Sequence, residues 1–248
     1  MDPLAGTAWS APGTVEGFAT SPPNPVLMAY AARVLADVPG GTAVDIGCGA
    51  GRNGVPLAAL GWRVLGLDLS APMLAAASSR AASAPAPLRF AVAMAPMEHL
   101  PVASRRAHFI VAHGIWNLAP RDALFRRAVQ EAARIAAPGA ALFVFTFSRH
   151  TLAPDASPVS GETYTFTQFS GSPLCFVTEA QLIDELRDAG FERDLSVPLT
   201  EYNRPAPGLL RGTGGPVIYE AAFRYTRSSA RPSGSPVPAV ISQVGRTA

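Results

Sequence analysis

The sequence predicts an α/β fold, with a doubly wound, mostly parallel sheet of seven strands, helices on both faces and a small β-rich insertion. Two observations lead to this prediction. Short apolar runs alternate with amphipathic helix patterns along most of the chain, which implies parallel strands joined by helices. The chain also has 248 residues, of which 48% are hydrophobic, and this is enough for a sizeable core.

The first predicted helix starts after Asn24, which can cap it, and has Pro25 at its first position. Apolar residues then recur at the i, i+3, i+4 spacing of one helix face until Pro39 and two glycines end the helix. The following pattern predicts strands at residues 42–46, 63–67, 88–93, 108–113 and 140–147, and helices at residues 52–60, 71–83 and 121–137.

The alternation stops at residue 148. Prolines and glycines surround a β-rich piece at 162–169, so residues 148–177 are predicted to be an insertion over the sheet edge. Thr178 can cap a helix at 179–189, and strands are predicted at 192–199 and 217–225. This divides the chain into an N-terminal lid segment (1–23), a main domain (24–227) and a disordered tail (228–248).

Composition excludes several classes of function. The net charge of +2 is too small to indicate a nucleic-acid or membrane partner, and all 20 basic residues are arginines. Cys48 and Cys175 form no disulfide framework and, without a signal peptide, favour a cytoplasmic protein. His99, His108 and His150 lack metal-ligand spacing, so no metal is predicted. We expect a monomer or homodimer.

The most informative stretch runs from Ala43 to Asn53, where the first strand passes into a helix. Glycines at 47, 49 and 51 permit a tight turn and a close backbone approach to a ligand, and the helix N-terminus beyond them suits a carboxylate. Asp68, at the end of the next strand, can accept both hydroxyls of a ribose. Spacing alone also allows a nicotinamide dinucleotide, because Gly49 and Gly51 precede Gly54 as in that fingerprint.

Two features argue against a nicotinamide dinucleotide. They are Asp45, two residues before Gly47, and the run Asp68-Leu69-Ser70-Ala71-Pro72-Met73-Leu74. Together they resemble the first and second motifs of the class I S-adenosylmethionine-dependent methyltransferases. The resemblance covers residues 24–147 well and implies a Rossmann-like fold. The ending Gly51-Arg52-Asn53 is similar to the tellurite-resistance-type and related small-molecule methyltransferases.

The resemblance implies S-adenosylmethionine as the cofactor and assigns a role to each matching position. The glycines line its methionine and ribose portion, Asp45 positions the ammonium group, Arg52 lies near the carboxylate, Asp68 holds the ribose, and Leu69 and Met73 flank the adenine. Pro96 stands where the family has an acidic residue, which leaves a backbone contact at Met97. The full predicted cofactor set is Asp45, Gly47, Cys48, Gly49, Gly51, Arg52, Asn53, Asp68, Leu69, Met73, Met97, Glu98 and His113.

The catalytic and acceptor assignments rest on fewer signals. Methyl transfer needs mainly alignment of the acceptor, and a base only where the acceptor is protonated. His113 ends the fourth strand and is the candidate base, although its ring can equally well be packed. The residues predicted to contact the acceptor are Trp9, Phe18, Trp116, Asn117, Tyr202 and Arg204, and Trp116 is as readily a core residue.

We predict methyl transfer to a small-molecule acceptor, giving S-adenosylhomocysteine. Segments 1–23 and 148–177 and the loop around Tyr202 are expected to close over the cofactor, with Trp9, Phe18, Phe169 or Tyr202 as walls. The alternatives are an RNA or protein methyltransferase, a non-catalytic cofactor-binding protein and a nicotinamide-dependent oxidoreductase.

Overall fold

The computed structural model of the protein describes residues 2–204 and 215–227. A central sheet contains eight strands, of which seven lie in the order β3-β2-β1-β4-β5-β10-β8, and β9 pairs with β10. The strands of the structure are β1 (Thr42–Ile46), β2 (Arg63–Asp68), β3 (Phe90–Met94), β4 (Ala107–His113), β5 (Ala136–Phe147), β6 (Thr165–Phe166), β7 (Leu174–Cys175), β8 (Phe191–Arg193), β9 (Thr200–Tyr202) and β10 (Ile218–Tyr225).

Strands β1 to β5 pair in parallel, and β10 runs antiparallel to β5, β8 and β9. The short strands β6 and β7 form a separate two-stranded sheet within the insertion. The predicted Rossmann-like, mostly parallel sheet with a small β-rich insertion is therefore confirmed.

Helices cover both faces of the sheet. They are α1 (Pro12–Thr20), α2 (Pro25–Asp37), α3 (Gly54–Leu60), α4 (Ala71–Ala82), α5 (Asp122–Ile135) and α6 (Glu179–Ala189), with short 3-10 turns at Ala8–Ser10, Trp116–Leu118 and Arg149–Thr151. Helices α2 and α3 bury their apolar sides on one face of the sheet, and α5 and α6 bury theirs on the other. Among the described residues, no helix has the length and apolar character needed to cross a bilayer.

The helix caps predicted at Asn24 and Thr178 are confirmed, and Ser70 caps a third helix in the same way. The side chains of Asn24, Ser70 and Thr178 accept hydrogen bonds from backbone N–H groups in the first turns of α2, α4 and α6. Gln181 completes a capping box at α6 by accepting from the Thr178 backbone N–H. These caps fix where α2 and α4 begin, and both starts adjoin the carboxyl edge of the sheet.

Some predicted boundaries are wrong. The strand expected at 192–199 ends at Arg193, because Asp194 turns the chain by accepting from the Ser196 N–H at 3.0 Å. Helix α5 passes into β5 at Ala136 without a loop. Residues 2–23, for which the sequence predicts a lid segment but no helix or strand, contain the helix α1. The predicted disordered tail at 228–248 lies outside the described residues.

Candidate active site

A cavity of about 510 Å³ lies at the carboxyl ends of β1, β2, β4 and β5. This edge of an open α/β sheet is where ligands bind in such folds. Segment 2–23 forms part of its wall. The residues predicted from the sequence that line the cavity are Trp9, Phe18, Gly47, Gly49, Arg52, Asp68, Leu69, Met73, Met97, Glu98 and His113.

The glycine loop after β1 is tied to the end of β2 by backbone hydrogen bonds. The N–H groups of Gly47 and Cys48 donate to the Leu67 carbonyl at 2.7 and 2.9 Å. Gly49 has φ +51°, and a Cβ there would lie 3.7 Å from Phe18 and 3.8 Å from Met73, within the space of the cavity. A glycine at 49 therefore keeps the cavity open beside the loop backbone.

The carboxylate of Asp68 is held by two backbone donors at the cavity wall. Its Oδ2 accepts from the Gly49 N–H at 2.9 Å, and its Oδ1 accepts from the Ser70 N–H at 2.9 Å. Each oxygen retains a lone pair, because a carboxylate can accept about four hydrogen bonds. The side chain is thus oriented in advance and can still accept from a ligand.

Arg52 and His113 form the polar floor of the cavity. The Arg52 Nη2 lies 3.3 Å from Nδ1 and 3.2 Å from Nε2 of His113, and the imidazole stacks on Phe145 with ring centroids 4.0 Å apart. Burial, aided by the Arg52 charge, lowers the pKa of His113 to about 3, so the ring is neutral at physiological pH. Within residues 2–204 and 215–227, no carboxylate forms an ion pair with Arg52.

Asp45 lies beneath the glycine loop and is buried. Burial and the nearby negative charge of Asp68 raise the pKa of Asp45 to about 7, against a lowering by Arg52. Its Oδ2 has no hydrogen-bond partner among the described residues. A carboxyl in this setting binds a proton near neutral pH, and the charge under the loop therefore changes with pH.

Comparison with known proteins agrees with this geometry. Residues 43–139, which include β1 and the glycine loop, match the sequence model of a family described as a methyltransferase domain. This stretch is similar to a methyltransferase domain. A search of curated proteins found no significant match to the sequence.

Solved structures show that the same fold extends beyond the matched domain. A S-adenosylmethionine-dependent methyltransferase from Methanosarcina mazei superposes with a TM-score of 0.62 at 19% identity, over 84% of this chain and 100% of the other. One from Mesorhizobium loti gives 0.57 at 20% identity, over 79% and 99%. The 1,6-didemethyltoxoflavin-N1-methyltransferase of Burkholderia thailandensis, solved with that compound and S-adenosylhomocysteine, gives 0.58 at 18% identity, over 81% and 78%. The family match supports the prediction of a methyltransferase. The solved structures show that this chain shares the fold of S-adenosylmethionine-dependent methyltransferases.

Four residues of the predicted cofactor set lie behind the cavity wall of the methyltransferase. Asp45, Cys48, Gly51 and Asn53 are buried and do not line the cavity. The Oδ1 of Asn53 accepts from the Asn24 N–H at 3.0 Å, which joins the loop to the start of α2. A Cβ at Gly51 would lie 2.8 Å from Val55, so this glycine serves the packing of the loop. The structure gives these residues supporting positions and no direct contact with the cavity.

Four predicted acceptor residues also lie elsewhere. Trp116 is fully buried and packs on Phe125, and Asn117 is buried beside it, because their 3-10 turn faces the core. Tyr202 donates to Glu220, and Arg204 pairs with Glu201 at 3.0 Å. None of the four lines the cavity, and we correct their assignment. The insertion does not reach the cavity either, because Phe169 packs on Phe147 and Phe176.

The sequence prediction missed an apolar group at the far end of the cavity. It consists of Ile115 and Leu118 after β4, Pro120 and Leu124 around the start of α5, and Phe145 on β5. Phe145 is opposite His113 in the parallel pairing of β4 and β5, so the pairing of two predicted strands could have identified it. The described residues contain no cluster of three or more His, Cys, Asp or Glu side chains suited to a metal ion.

Proposed function

We propose that this methyltransferase transfers the methyl group of S-adenosylmethionine to a small apolar molecule that binds in the same cavity. The observation that carries this proposal is the contrast between the two ends of the cavity. The polar end lies on the β1–β2 side, with the glycine loop, Arg52 and Asp68, and the apolar end lies on the β4–β5 side, with Ile115, Leu118, Leu124 and Phe145. A polar end and an apolar end within about 510 Å³ fit a cofactor beside a small partner.

The residues at the polar end fit the cofactor. Asp68, oriented by Gly49 and Ser70, would accept the ribose hydroxyls, and Arg52 would receive the carboxylate of the methionine portion. Leu69 and Met73 would flank the adenine, with Met97 and Glu98 at its edge. When bound, S-adenosylmethionine supplies an electrophilic methyl group on a sulfonium.

The N-terminal segment would complete the acceptor site. Trp9 and Phe18 line the cavity from this segment, with their ring centroids 6.3 Å apart. Such a cover excludes water and aligns the acceptor with the methyl group, and alignment is the main requirement of this chemistry. We therefore retain the lid function for residues 2–23 and do not extend it to 148–177.

His113 is poorly suited to act as a base. Its nitrogens face the donor groups of Arg52 and Asn24, and its lowered pKa makes it a weak acceptor of a proton. We propose that the acceptor carries a nucleophile that needs no help from this ring, such as a neutral amine or an ionised thiol or phenol.

The apolar acceptor end and the motif Gly51-Arg52-Asn53 favour a small molecule over RNA or protein. The small net charge supports the same choice. The two cysteines are free and buried, which is compatible with the cytoplasmic location that we propose.

Binding experiments test the cofactor site. We expect calorimetry to show binding of S-adenosylhomocysteine and none of NAD. Asp68→Ala should weaken binding by about 1.5–3 kcal/mol, because charge-assisted hydrogen bonds to the ribose are lost. Since this variant also frees the Gly49 and Ser70 N–H groups, adenosine and 2′,3′-dideoxyadenosine serve as matched ligands. The wild type should prefer adenosine, and the variant should not; an unchanged preference would show that Asp68 does not hold the ribose.

The acceptor class is tested by labelling. The protein and methyl-labelled S-adenosylmethionine are incubated with small-molecule, RNA and protein fractions of cells of the source organism. Label in the small-molecule fraction supports the proposal. Label in RNA or protein overturns it, and tight cofactor binding without label in any fraction favours a non-catalytic binding protein.

A further inference from the structure

A buried carboxylate lies near the cavity without lining it. Glu220 on β10 is 2% exposed, and its two oxygens accept hydrogen bonds from different elements. Asn24 Nδ2 donates to Oε2 at 2.6 Å, and the Tyr202 hydroxyl donates to Oε1 at 2.8 Å. No cation forms an ion pair with Glu220 in the described parts of the chain. Burying a carboxylate is costly, so its hydrogen-bond partners determine what it does.

Asn24 transmits the orientation imposed by Glu220. Its Oδ1 caps α2 by accepting from the Leu27 N–H at 2.9 Å, and this contact can only be made by the oxygen of the amide. Its Nδ2 group must therefore point the other way, where it has two neighbours. One is Glu220, and the other is Nε2 of His113 at 3.3 Å.

These donors fix the protonation of His113. Nε2 faces N–H groups of both Asn24 and Arg52, at 3.3 and 3.2 Å, whereas Nδ1 faces Arg52 alone, at 3.3 Å. Nε2 is therefore the favoured acceptor. The ring proton then belongs on Nδ1. Phe145, stacked 4.0 Å away, holds the plane of the ring.

The neutral imidazole of His113 orients Arg52 without neutralising the guanidinium charge. An aspartate or glutamate in the place of His113 would cancel the guanidinium charge, whereas an imidazole lone pair only orients it. Arg52 lines the cavity, and a neutral holder leaves its positive charge available to an anionic ligand group.

We propose that Glu220 is a positioning residue which, through Asn24 and His113, holds Arg52 where it receives the carboxylate of the cofactor. This inference rests on the proposed placement of that carboxylate at Arg52. The chain of contacts runs from Tyr202 through Glu220, Asn24 and His113 to Arg52, and it links the sheet edge at β9 to the cavity floor.

The test compares two ligands by calorimetry. S-adenosylhomocysteine has the amino-acid portion, and 5′-methylthioadenosine has the same nucleoside without it. Arg52→Met should weaken only the first ligand, by at least about tenfold, because a charge-assisted contact is lost. Glu220→Leu should also weaken only the first ligand, by roughly three- to tenfold. Glu220→Gln should restore wild-type affinity, because its amide oxygen can accept from Asn24 and its NH₂ group can donate to the Tyr202 oxygen.

Two further measurements keep the inference testable if Glu220→Leu does not fold. Asn24→Ser retains a helix-capping oxygen but removes both N–H donors, and it should show the same ligand selectivity. Nitrogen-15 spectra of the histidine rings, with the His113 signal assigned from a His113→Gln variant, should show the Nδ1–H tautomer in the wild type without ligand. That signal should shift in Asn24→Ser.

The possible failures are distinguishable. If Arg52→Met weakens both ligands equally or neither, the proposed place of the carboxylate is wrong. In another outcome, Arg52→Met weakens only S-adenosylhomocysteine binding, but Glu220→Leu and Asn24→Ser weaken the binding of both ligands equally or of neither. Glu220 then has only a structural role, and the inference is overturned. An unchanged His113 signal in Asn24→Ser would also overturn it.

Discussion

Residues 2–23 and residues 148–177 both lie outside the strand–helix repeat and both carry aromatic side chains, yet only the first segment reaches the cavity. Its helix α1 has no buried residue. Its polar contacts with the domain lie around α4: the Ser70 hydroxyl lies 2.9 Å from the Ser10 hydroxyl and donates to the Trp9 carbonyl, the Ala71 N–H donates to Asp2, and Arg80 donates to the Ala19 carbonyl at 3.0 Å. It is a lightly attached cover.

The insertion is attached much more firmly. Tyr164, Phe166 and Phe176 are buried in the main core, and Asp122 at the start of α5 accepts from the Thr163 N–H and the Thr165 hydroxyl, each at 2.6 Å. Elements that move during binding are drawn from weakly attached parts of a structure. Aromatic content alone therefore does not predict a lid. A segment whose aromatic side chains are buried in the core is held in place, and one whose aromatic side chains line the cavity can act as a cover.

Deleting residues 2–20 should have the largest effect. We expect turnover to fall by at least about a hundredfold, because the acceptor loses alignment and shielding from water. Cofactor affinity should fall less, since Arg52 and Asp68 remain. Hydrogen exchange of the full chain with S-adenosylhomocysteine should show added protection at 10–23 and none at 160–177. Normal turnover of the shortened chain, or protection of both segments, would contradict the comparison.

Asp122→Ala should act on stability alone. It removes the acceptor of the partly buried Thr163 N–H and of the buried Thr165 hydroxyl, so the free energy of unfolding should fall by about 2–3 kcal/mol in urea titrations. The affinity of the folded protein for S-adenosylhomocysteine should not change. Asp122→Asn, which keeps an accepting oxygen, is the matched control and should lose less. A weaker cofactor affinity in Asp122→Ala would mean that the insertion contributes to the site.

Phe18→Ala and Phe169→Ala form a matched pair with the smallest expected effect. Phe18 lines the cavity, whereas Phe169 is 39% exposed on the insertion. Phe18→Ala should weaken S-adenosylhomocysteine binding by about 1 kcal/mol, a factor of roughly five, through lost aromatic contact. Phe169→Ala should leave it unchanged. Calorimetry measures the affinity of both variants for S-adenosylhomocysteine. An equal loss of affinity in the two variants would contradict the distinction between the two segments.

Local signals predicted the fold and the polar end of the site. The caps at Asn24, Ser70 and Thr178 depend on neighbouring residues, and so do the glycine turn and the acid that closes β2. Such features can be read from a few adjacent positions. Asp68 could be predicted for this reason, whereas Arg52 and Met73 followed from the resemblance of the same motifs to a known family.

The apolar end could not be predicted in the same way. It brings together Ile115, Leu124 and Phe145 from three elements, and only tertiary packing decides that they face a cavity while Trp116 faces the core. The contacts of Asn24 with Glu220 and His113 join positions far apart in sequence. The pairing of β9 with β10 places Tyr202 beside Glu220, and no local pattern marks that neighbour.

Gly47 limits how this protein can acquire a new acceptor preference. A Cβ at Gly47 would lie 2.7 Å from Ile115, a wall residue of the acceptor end. A bulkier residue at 115 would press on the backbone that precedes the cofactor loop, whereas a smaller one would enlarge the acceptor space without disturbing it. Natural variation and protein engineering can therefore widen the range of acceptors at this position more easily than they can narrow it.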